Sequence, residues 1–259
     1  MSRSGYYCWL YRDLHRDKES LELLRSVHEH FRGKAGIRTI KMYLEQKYGI
    51  IMNLKKIYRL KKSCGLVTTI RSRSKFTSCT INKHRENQSP NLVNMVFKRL
   101  HTDEVYSTDI TYLPYRNGQA YLSVFKDLGS REIVHYRVGA NMSLPLVCDG
   151  LDELLDRRPN RQLIIHSDQG GHYLSPTYRQ KLKDYGVTQS MSRRGNCLDN
   201  APVESFFGHM KDEIDTKSCT SFAEIKMMVS NYIEYYNSER PQWTLKKMTP
   251  AQYRRHINS

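Results

Sequence analysis

Two runs rich in apolar and β-branched residues, Val105–Tyr115 and Gly118–Asp127, flank a turn at Arg116-Asn117-Gly118. An Asn-Gly pair between such runs is a strong hairpin signal, so a sheet opens antiparallel here. Beyond the hairpin the chain does not continue as a meander. Residues 131–138 read as a third strand. The apolar spacing then turns helical in residues 144–155, at Leu144, Val147, Leu151, Leu154 and Leu155, and stops near Arg157-Arg158-Pro159. Leu163-Ile164-Ile165-His166 is a short buried strand, residues 175–185 a helix opened by Ser175-Pro176, and residues 186–190 a fifth strand. Residues 199–214 and 222–236 carry two further helices, with Asp199 and Asn200 as capping residues of the first. An antiparallel start followed by helix-separated strands predicts the α/β class: a mixed five-stranded sheet flanked by helices.

The first part of the chain has a different texture. Residues 19–31 place Leu21, Leu24, Val27 and Phe31 at helical spacing, and after Gly33 and Gly36 a second helix carries Ile37, Ile40 and Leu44. A third opens at the N-cap Asn53, carries Leu54, Ile57, Tyr58 and Leu60, and ends at Cys64-Gly65. This is the pattern of an all-α helix-turn-helix unit. Residues 1–100 hold 22 Lys and Arg against 7 Asp and Glu, whereas residues 101–259 hold 20 against 19. Nearly all of the formal charge of +16 therefore sits in the first two-fifths, the footprint of a front that binds nucleic acid. Lys55, Lys56, Arg59, Lys61 and Lys62 make the third helix the candidate groove-facing element; a helical hairpin with a wet basic face is the plainer reading. The expected domains are residues 1–66 (helix-turn-helix), 67–91 (basic linker, either lying on phosphates or a passive tether) and 92–259 (the mixed sheet with a C-terminal helical extension).

Several classes drop out. No apolar run reaches the roughly 18–20 residues of a membrane span, and the N-terminus lacks the apolar core of a secretion signal. The six cysteines form no CxxC pair, and His28 and His30 stand too close together for a paired zinc motif. A soluble intracellular protein with reduced thiols, no zinc and a polyanionic partner is expected.

Three acids stand in settings that need explanation. Asp109 lies mid-strand in Ser107-Thr108-Asp109-Ile110-Thr111. Asp168 follows an apolar strand directly and opens Gln169-Gly170-Gly171, and Glu204 lies in the first turns of a helix. A carboxylate inside a strand is costly unless compensated, and hard divalent cations, which take oxygen ligands, are one compensation. Taken singly, each has an ordinary role: a backbone-bonded acid, a turn former, and a glutamate favoured by the helix dipole.

Together they resemble a known signature. Thirty-five residues separate Asp168 from Glu204, and Lys211 follows seven positions later. Supporting strings are Ser4-Gly5-Tyr6-Tyr7, Thr108-Asp109-Ile110-Thr111-Tyr112, His166-Ser167-Asp168-Gln169-Gly170, Asp199-Asn200-Ala201-Pro202-Val203-Glu204-Ser205-Phe206-Phe207, and Tyr236-Asn237 through Arg240-Pro241. The chain resembles the OrfB-type transposases of bacterial insertion sequences, within the aspartate–aspartate–glutamate (DDE), retroviral-integrase-like superfamily, over essentially its whole length. The resemblance implies an RNase-H-like fold in which Asp109, Asp168 and Glu204 are catalytic and hold two Mg²⁺ or Mn²⁺ ions. It implies a polynucleotidyl transferase that nicks element ends with water and then attacks a second phosphodiester with the freed 3′-hydroxyl. Its partners would be the element's inverted-repeat ends and target DNA, bound by a homo-oligomer, alone or joined to an upstream-frame protein, in the bacterial cytoplasm at the nucleoid. Lys211, on the Glu204 face of its helix, would meet a phosphate, alongside Lys55, Lys56, Arg59 and Lys62 on the third helix; Gly208 would leave that face bare. Tyr106 departs from the family's usual tryptophan and brings a hydroxyl that needs a partner. A non-catalytic protein occupying the element ends and a general RNase-H-fold nuclease are the rival readings.

Overall fold

A computed structural model of the chain describes residues 3, 4, 7, 17–69, 89–95, 101–158, 162–193 and 197–259. The chain divides into two units, Met1–Ser74 with Pro241–Lys247, and Lys75–Arg240 with Met248–Ser259. Most of the expected basic linker lies outside the described residues.

In the larger unit β1 (Val105–Tyr115) and β2 (Gly118–Asp127) pair antiparallel, from Tyr106↔Asp127 to Tyr115↔Gly118. The two turn residues are Arg116 and Asn117, and neither they nor Gly118 takes a positive φ. The hairpin is where the Asn-Gly pair predicts it, but the turn is held from outside. The Arg116 N–H donates to the Cys219 carbonyl (3.0 Å), and the Asn117 amide donates to the Thr220 carbonyl (2.9 Å). β3 (Ile133–Gly139) pairs antiparallel with β2, with a bulge at Phe125/Lys126. β4 (Ile164–Ser167) runs parallel to β1, and β5 (Thr188–Met191) parallel to β4, giving the order β3-β2-β1-β4-β5. The sheet is thus mixed and five-stranded, as expected.

Strand alternation divides β1 between two cores. Tyr106 faces a cluster built with Phe125, Ile165, Leu151 of α4 (Leu144–Arg157) and Tyr178 of α6 (Pro176–Asp184). The short helix α5 (Gly171–Leu174), where local sequence suggests only a glycine turn, adds Tyr173 to it. Leu113 faces the opposite cluster, with Leu122, Val124, Phe206 of α7 (Ala201–Glu213), and Ile233 and Tyr236 of α8 (Phe222–Ser238). Each such fully buried side chain stabilises the fold by roughly 1.5–3 kcal/mol. Asp109 shares its face with Leu113, so it lies on the α7 side.

Two charged groups tie the ends of this unit. On α9 (Pro250–Asn258), opened by a capping box of Thr249 and Gln252, Arg254 reaches Asp103 (2.7 Å), the fully buried Asp127 (3.2 Å) and Glu132 (2.5 Å). Tyr106 donates its hydroxyl to the same Asp103, which gives the substituted aromatic its partner. At the other end, Asn200 stands at the N-cap of α7, but its side chain makes no capping hydrogen bond. It lies with Asp199 in a 3₁₀ turn, Cys197–Asn200, where Asp199 accepts from the Arg193 N–H (2.8 Å) and from both prongs of its guanidinium (3.0 and 2.9 Å). Pro202, in the first turn of the helix, needs no partner for a backbone N–H.

In the smaller unit α1 (Lys18–His30), α2 (Ile37–Tyr48) and α3 (Leu54–Ser63) enclose Leu24, Val27, Ile40, Leu44, Ile57 and Leu60. Gly49 ends α2 in the left-handed conformation (φ 65°), and Asn53 caps α3 by accepting from the Lys55 N–H (2.9 Å). Residues 241–247, expected with the sheet, group here instead: Lys247 pairs with Glu45 (2.7 Å) and Arg38 lies over the Trp243 ring (5.6 Å).

Replacing Arg254 by alanine strands Asp127 without its cation in a dry site. The expected cost is about 3 kcal/mol, read as a fall in thermal midpoint; a midpoint unchanged within error contradicts the role given to Arg254. Hydrogen bonds from Arg193 hold the Asp199 carboxyl down to about 2, below its ordinary 3.8. A depressed carboxyl contributes stability that is complete above 3.8 and is lost as pH falls through that value toward 2. Arg193→Gln is therefore expected to unfold at lower urea than the parent at about pH 6, with the gap closing near about pH 2.5; a gap independent of pH refutes the pairing.

Candidate active site

The parallel register brings two of the acids together. Ser107 of β1 is paired with His166 of β4, so Asp109 and Asp168 each stand two residues beyond the same rung, at the same end of adjacent strands. Asp109 is half-buried and its Oδ1 accepts from the Ile110 N–H (2.7 Å). Asp168 accepts from the Gly170 N–H (2.8 Å) in a tight turn. A Cβ on Gly170 would lie 2.9 Å from the Asp168 Oδ1, so a larger residue there would push that carboxylate aside. Glu204 enters on α7, from the face of the sheet to which Asp109 points.

The three carboxylates interact. Burial, then Asp168 and more weakly Glu204, push the Asp109 carboxyl up to about 8, against the opposing pull of the Ile110 N–H and Lys211. Burial raises Asp168, with the Gly170 N–H and His172 opposing. Burial and then Asp168 raise Glu204. Asp109 and Asp168 are half-buried whereas Glu204 is exposed, so the repulsion that disfavours full ionisation acts mainly between the two aspartates. Among the described residues no group of three or more His, Cys, Asp or Glu side chains is gathered as a ready metal cage. Two of the acids instead each give an oxygen to a backbone N–H. The donor set still fits a hard divalent cation in its chemistry: all-oxygen ligands carrying surplus negative charge. A cavity of about 490 Å³ opens beside Asp109 and Asp168, walled by Ile110, Met142, Leu144 and His172.

The sequence-predicted DNA-contact residues divide. Lys211 lies 4.4 Å from the centroid of the exposed Tyr112 ring, and a side chain built on Gly208 one turn earlier meets nothing within 4 Å. On α3, Lys55 and Lys62 stand exposed. Lys56 and Arg59 reach back to Asp17 (3.0 and 2.6 Å), so one carboxylate joins α3 to the start of α1. Lys61 is buried and donates to Thr68 Oγ1 (2.8 Å), which makes it part of the fold and not of a basic outer face. Sequence reasoning misses Ser107, Tyr112, Lys126 and Arg193. The one signal available is position: two precede or follow Asp109 closely, and Arg193 lies just ahead of the Asp199-Asn200 string.

The integrase core domain family matches residues 99–197 and again 185–250, and the HTH-like domain family matches residues 15–74. The insertion element IS600 31 kDa protein of Shigella sonnei is 34% identical over 98% of this chain and 95% of its own. The transposase for insertion sequence element IS904 of Lactococcus lactis is 33% identical over 91% of this chain and 93% of its own. Among solved structures, the simian T-cell lymphotropic virus intasome in complex with the PP2A regulatory subunit B56 gamma matches with TM-score 0.50 and 13% identity over 89% of this chain and 74% of that one, a likeness of fold alone. With an HTH-like domain ahead of an integrase core, and with relatives at a third identity along nearly its full length, the chain belongs to the insertion-sequence transposases.

Proposed function

We propose that this transposase cleaves the ends of its own element and joins the freed 3′ ends to a second DNA, using divalent metal held by Asp109, Asp168 and Glu204. The observation that supports this most directly is the placing of Asp109 and Asp168 at the same end of adjacent strands beside an open cavity, where burial first and then the Asp168 charge push the Asp109 carboxyl up to about 8. A fold that needed only a structural acid there would have no reason to bring a second and third carboxylate near it. Mg²⁺ or Mn²⁺ at this donor set would activate the attacking oxygen and stabilise the leaving one.

The balance of the reaction needs no other cofactor. In the first step an oxygen of water bonds to phosphorus, the bond to the 3′ oxygen breaks, and that oxygen leaves as a 3′-hydroxyl. In the second step this hydroxyl bonds to a target phosphorus, the target's own 3′ oxygen departs, and the proton passes to it through solvent. Lys211, on the flank of Asp109, offers its ammonium to a phosphate of the bound strand. Phe206, Phe207 and Met210 of the same helix are buried and give it a rigid seat. The HTH-like unit selects the inverted-repeat ends through α3, and a homo-oligomer on DNA, alone or with an upstream-frame protein, brings two ends and a target together.

With labelled element-end DNA and Mg²⁺, Asp109→Asn is expected to lose strand-transfer product by more than the roughly 10–100-fold typical of changes outside the ligand shell. DNA retention should be unchanged, and product at the parental level would remove the assigned site. For the front unit, Lys55→Ala combined with Lys62→Ala should flatten the plot of log affinity against log salt by nearly two, at about 0.9 per phosphate contact. The same slope in both proteins would take α3 out of the interface.

A further inference from the structure

We propose that Ser107 and Lys126 are positioning residues that dock the start of α7 on the sheet and thereby set Glu204 against Asp109; this rests on the metal-holding reading of the three acids. Ser107 and Lys126 are direct partners across β1 and β2, so both side chains leave the sheet on the same face. Both are almost fully buried, at 1% and 3% exposure. Ser107 donates its hydroxyl to Asn200 Oδ1, itself buried at 2% exposure, and Lys126 Nζ donates to the Pro202 carbonyl at 2.7 Å. Two neighbouring strands thus each send one polar side chain to the two residues at the mouth of the helix that carries Glu204.

The spacing along both elements explains why this placement sets the acids. From Asn200 to Glu204 is one helical turn, roughly 6 Å of rise on the same face. From Ser107 to Asp109 is two strand residues, roughly 6.6 Å on the same face. Farther on, Lys211 meets Tyr112. The eleven residues from Asn200 to Lys211 rise roughly 16 Å as helix, and the five from Ser107 to Tyr112 advance roughly 16 Å as strand. Helix and strand therefore run in the same sense: Ser107 meets Asn200 at the first end, Glu204 follows on the face of the sheet that carries Asp109, and Lys211 ends over the ring of Tyr112, which leaves the strand on the other face. The anchor is the first of these contacts, and its position determines where Glu204 falls. Lys126 further lies over the rings of Phe206 (5.9 Å) and Tyr236 (5.6 Å), which holds its stem against the core on which α7 rests. Burying an ammonium is costly, and a methionine would fill the same space; the carbonyl it grips is what the lysine adds.

The test measures Mn²⁺ binding to the full-length chain by electron paramagnetic resonance, without DNA, on proteins whose circular dichroism matches the parent. Ser107→Val and Ser107→Thr have nearly the same shape and differ by the hydroxyl. Ser107→Val and Lys126→Met are expected to weaken Mn²⁺ binding about 10–100-fold, as supports of a metal-binding residue do, while Ser107→Thr restores it. Asp109→Asn serves as the reference and should abolish tight binding. Full Mn²⁺ affinity in Asp109→Asn overturns the metal-holding reading itself. Loss in Asp109→Asn with parental affinity in both Ser107→Val and Lys126→Met overturns only the positioning role. If Ser107→Val does not fold, Asn200→Ala removes the same hydrogen bond from the helix side, and parental affinity there is equally fatal.

Discussion

Carboxylates held side by side in a poorly solvated region repel one another, and only a rigid surrounding fold can keep them there. In this transposase the parallel pairing of β1 with β4 does most of that work. The register that sets Ser107 opposite His166 leaves Asp109 and Asp168 no choice but to emerge at the same end of adjacent strands. The backbone N–H groups of Ile110 and Gly170 each take one carboxylate oxygen, offsetting part of the repulsion without removing the charge. The third acid arrives from a helix, and its placement is a matter of packing more than of sheet geometry.

That division explains where the polar side chains of the core are spent. Apolar burial of Val203, Phe206 and Met210 seats α7 on the sheet, but the hydrophobic effect is itself non-directional. Hydrogen bonds at the start of the helix are directional, and Asn200 and Pro202 supply the two that fix its position. Asp199 belongs to the same device: its fork with Arg193 holds the turn that delivers the helix. Arg254 plays a comparable part at the far side of the sheet, where three acids from β1, β2 and their flanks share one guanidinium.

The smaller unit shows the opposite use of charge. Its excess of lysine and arginine is a long-range attractor for polyanions, yet the individual cations are not equivalent. Asp17 engages the half-buried Lys56 and the exposed Arg59, and Lys61 is withdrawn into the fold, so Lys55, Arg59 and Lys62 are the outward charges of α3, one of them already paired. A count of basic residues therefore overstates the number of phosphates that this helix can meet.

Much of this was legible in the chain itself. Period-two and period-3.6 apolar patterns placed all five strands and the main helices within a residue or two, because each element must bury one face and the spacing records which. The three acids on which the proposed function rests stand out in the chain through residue types in unusual settings and through motif strings. Strand order, the register of β1 on β4, the grouping of residues 241–247 with the front unit, and the partners of Asp17, Asp199 and Asn200 were not. Asp199 and Asn200 read as caps because local sequence offers capping as the nearest use for such side chains; their real partners are Arg193, six residues earlier than Asp199, and Ser107, across the sheet. Sequence determines what a segment can bury and which groups it brings, since those are properties of neighbours along the chain. Which carboxylate faces which, and which lysine points outward, depends on distances between segments remote in sequence, and only tertiary packing sets those.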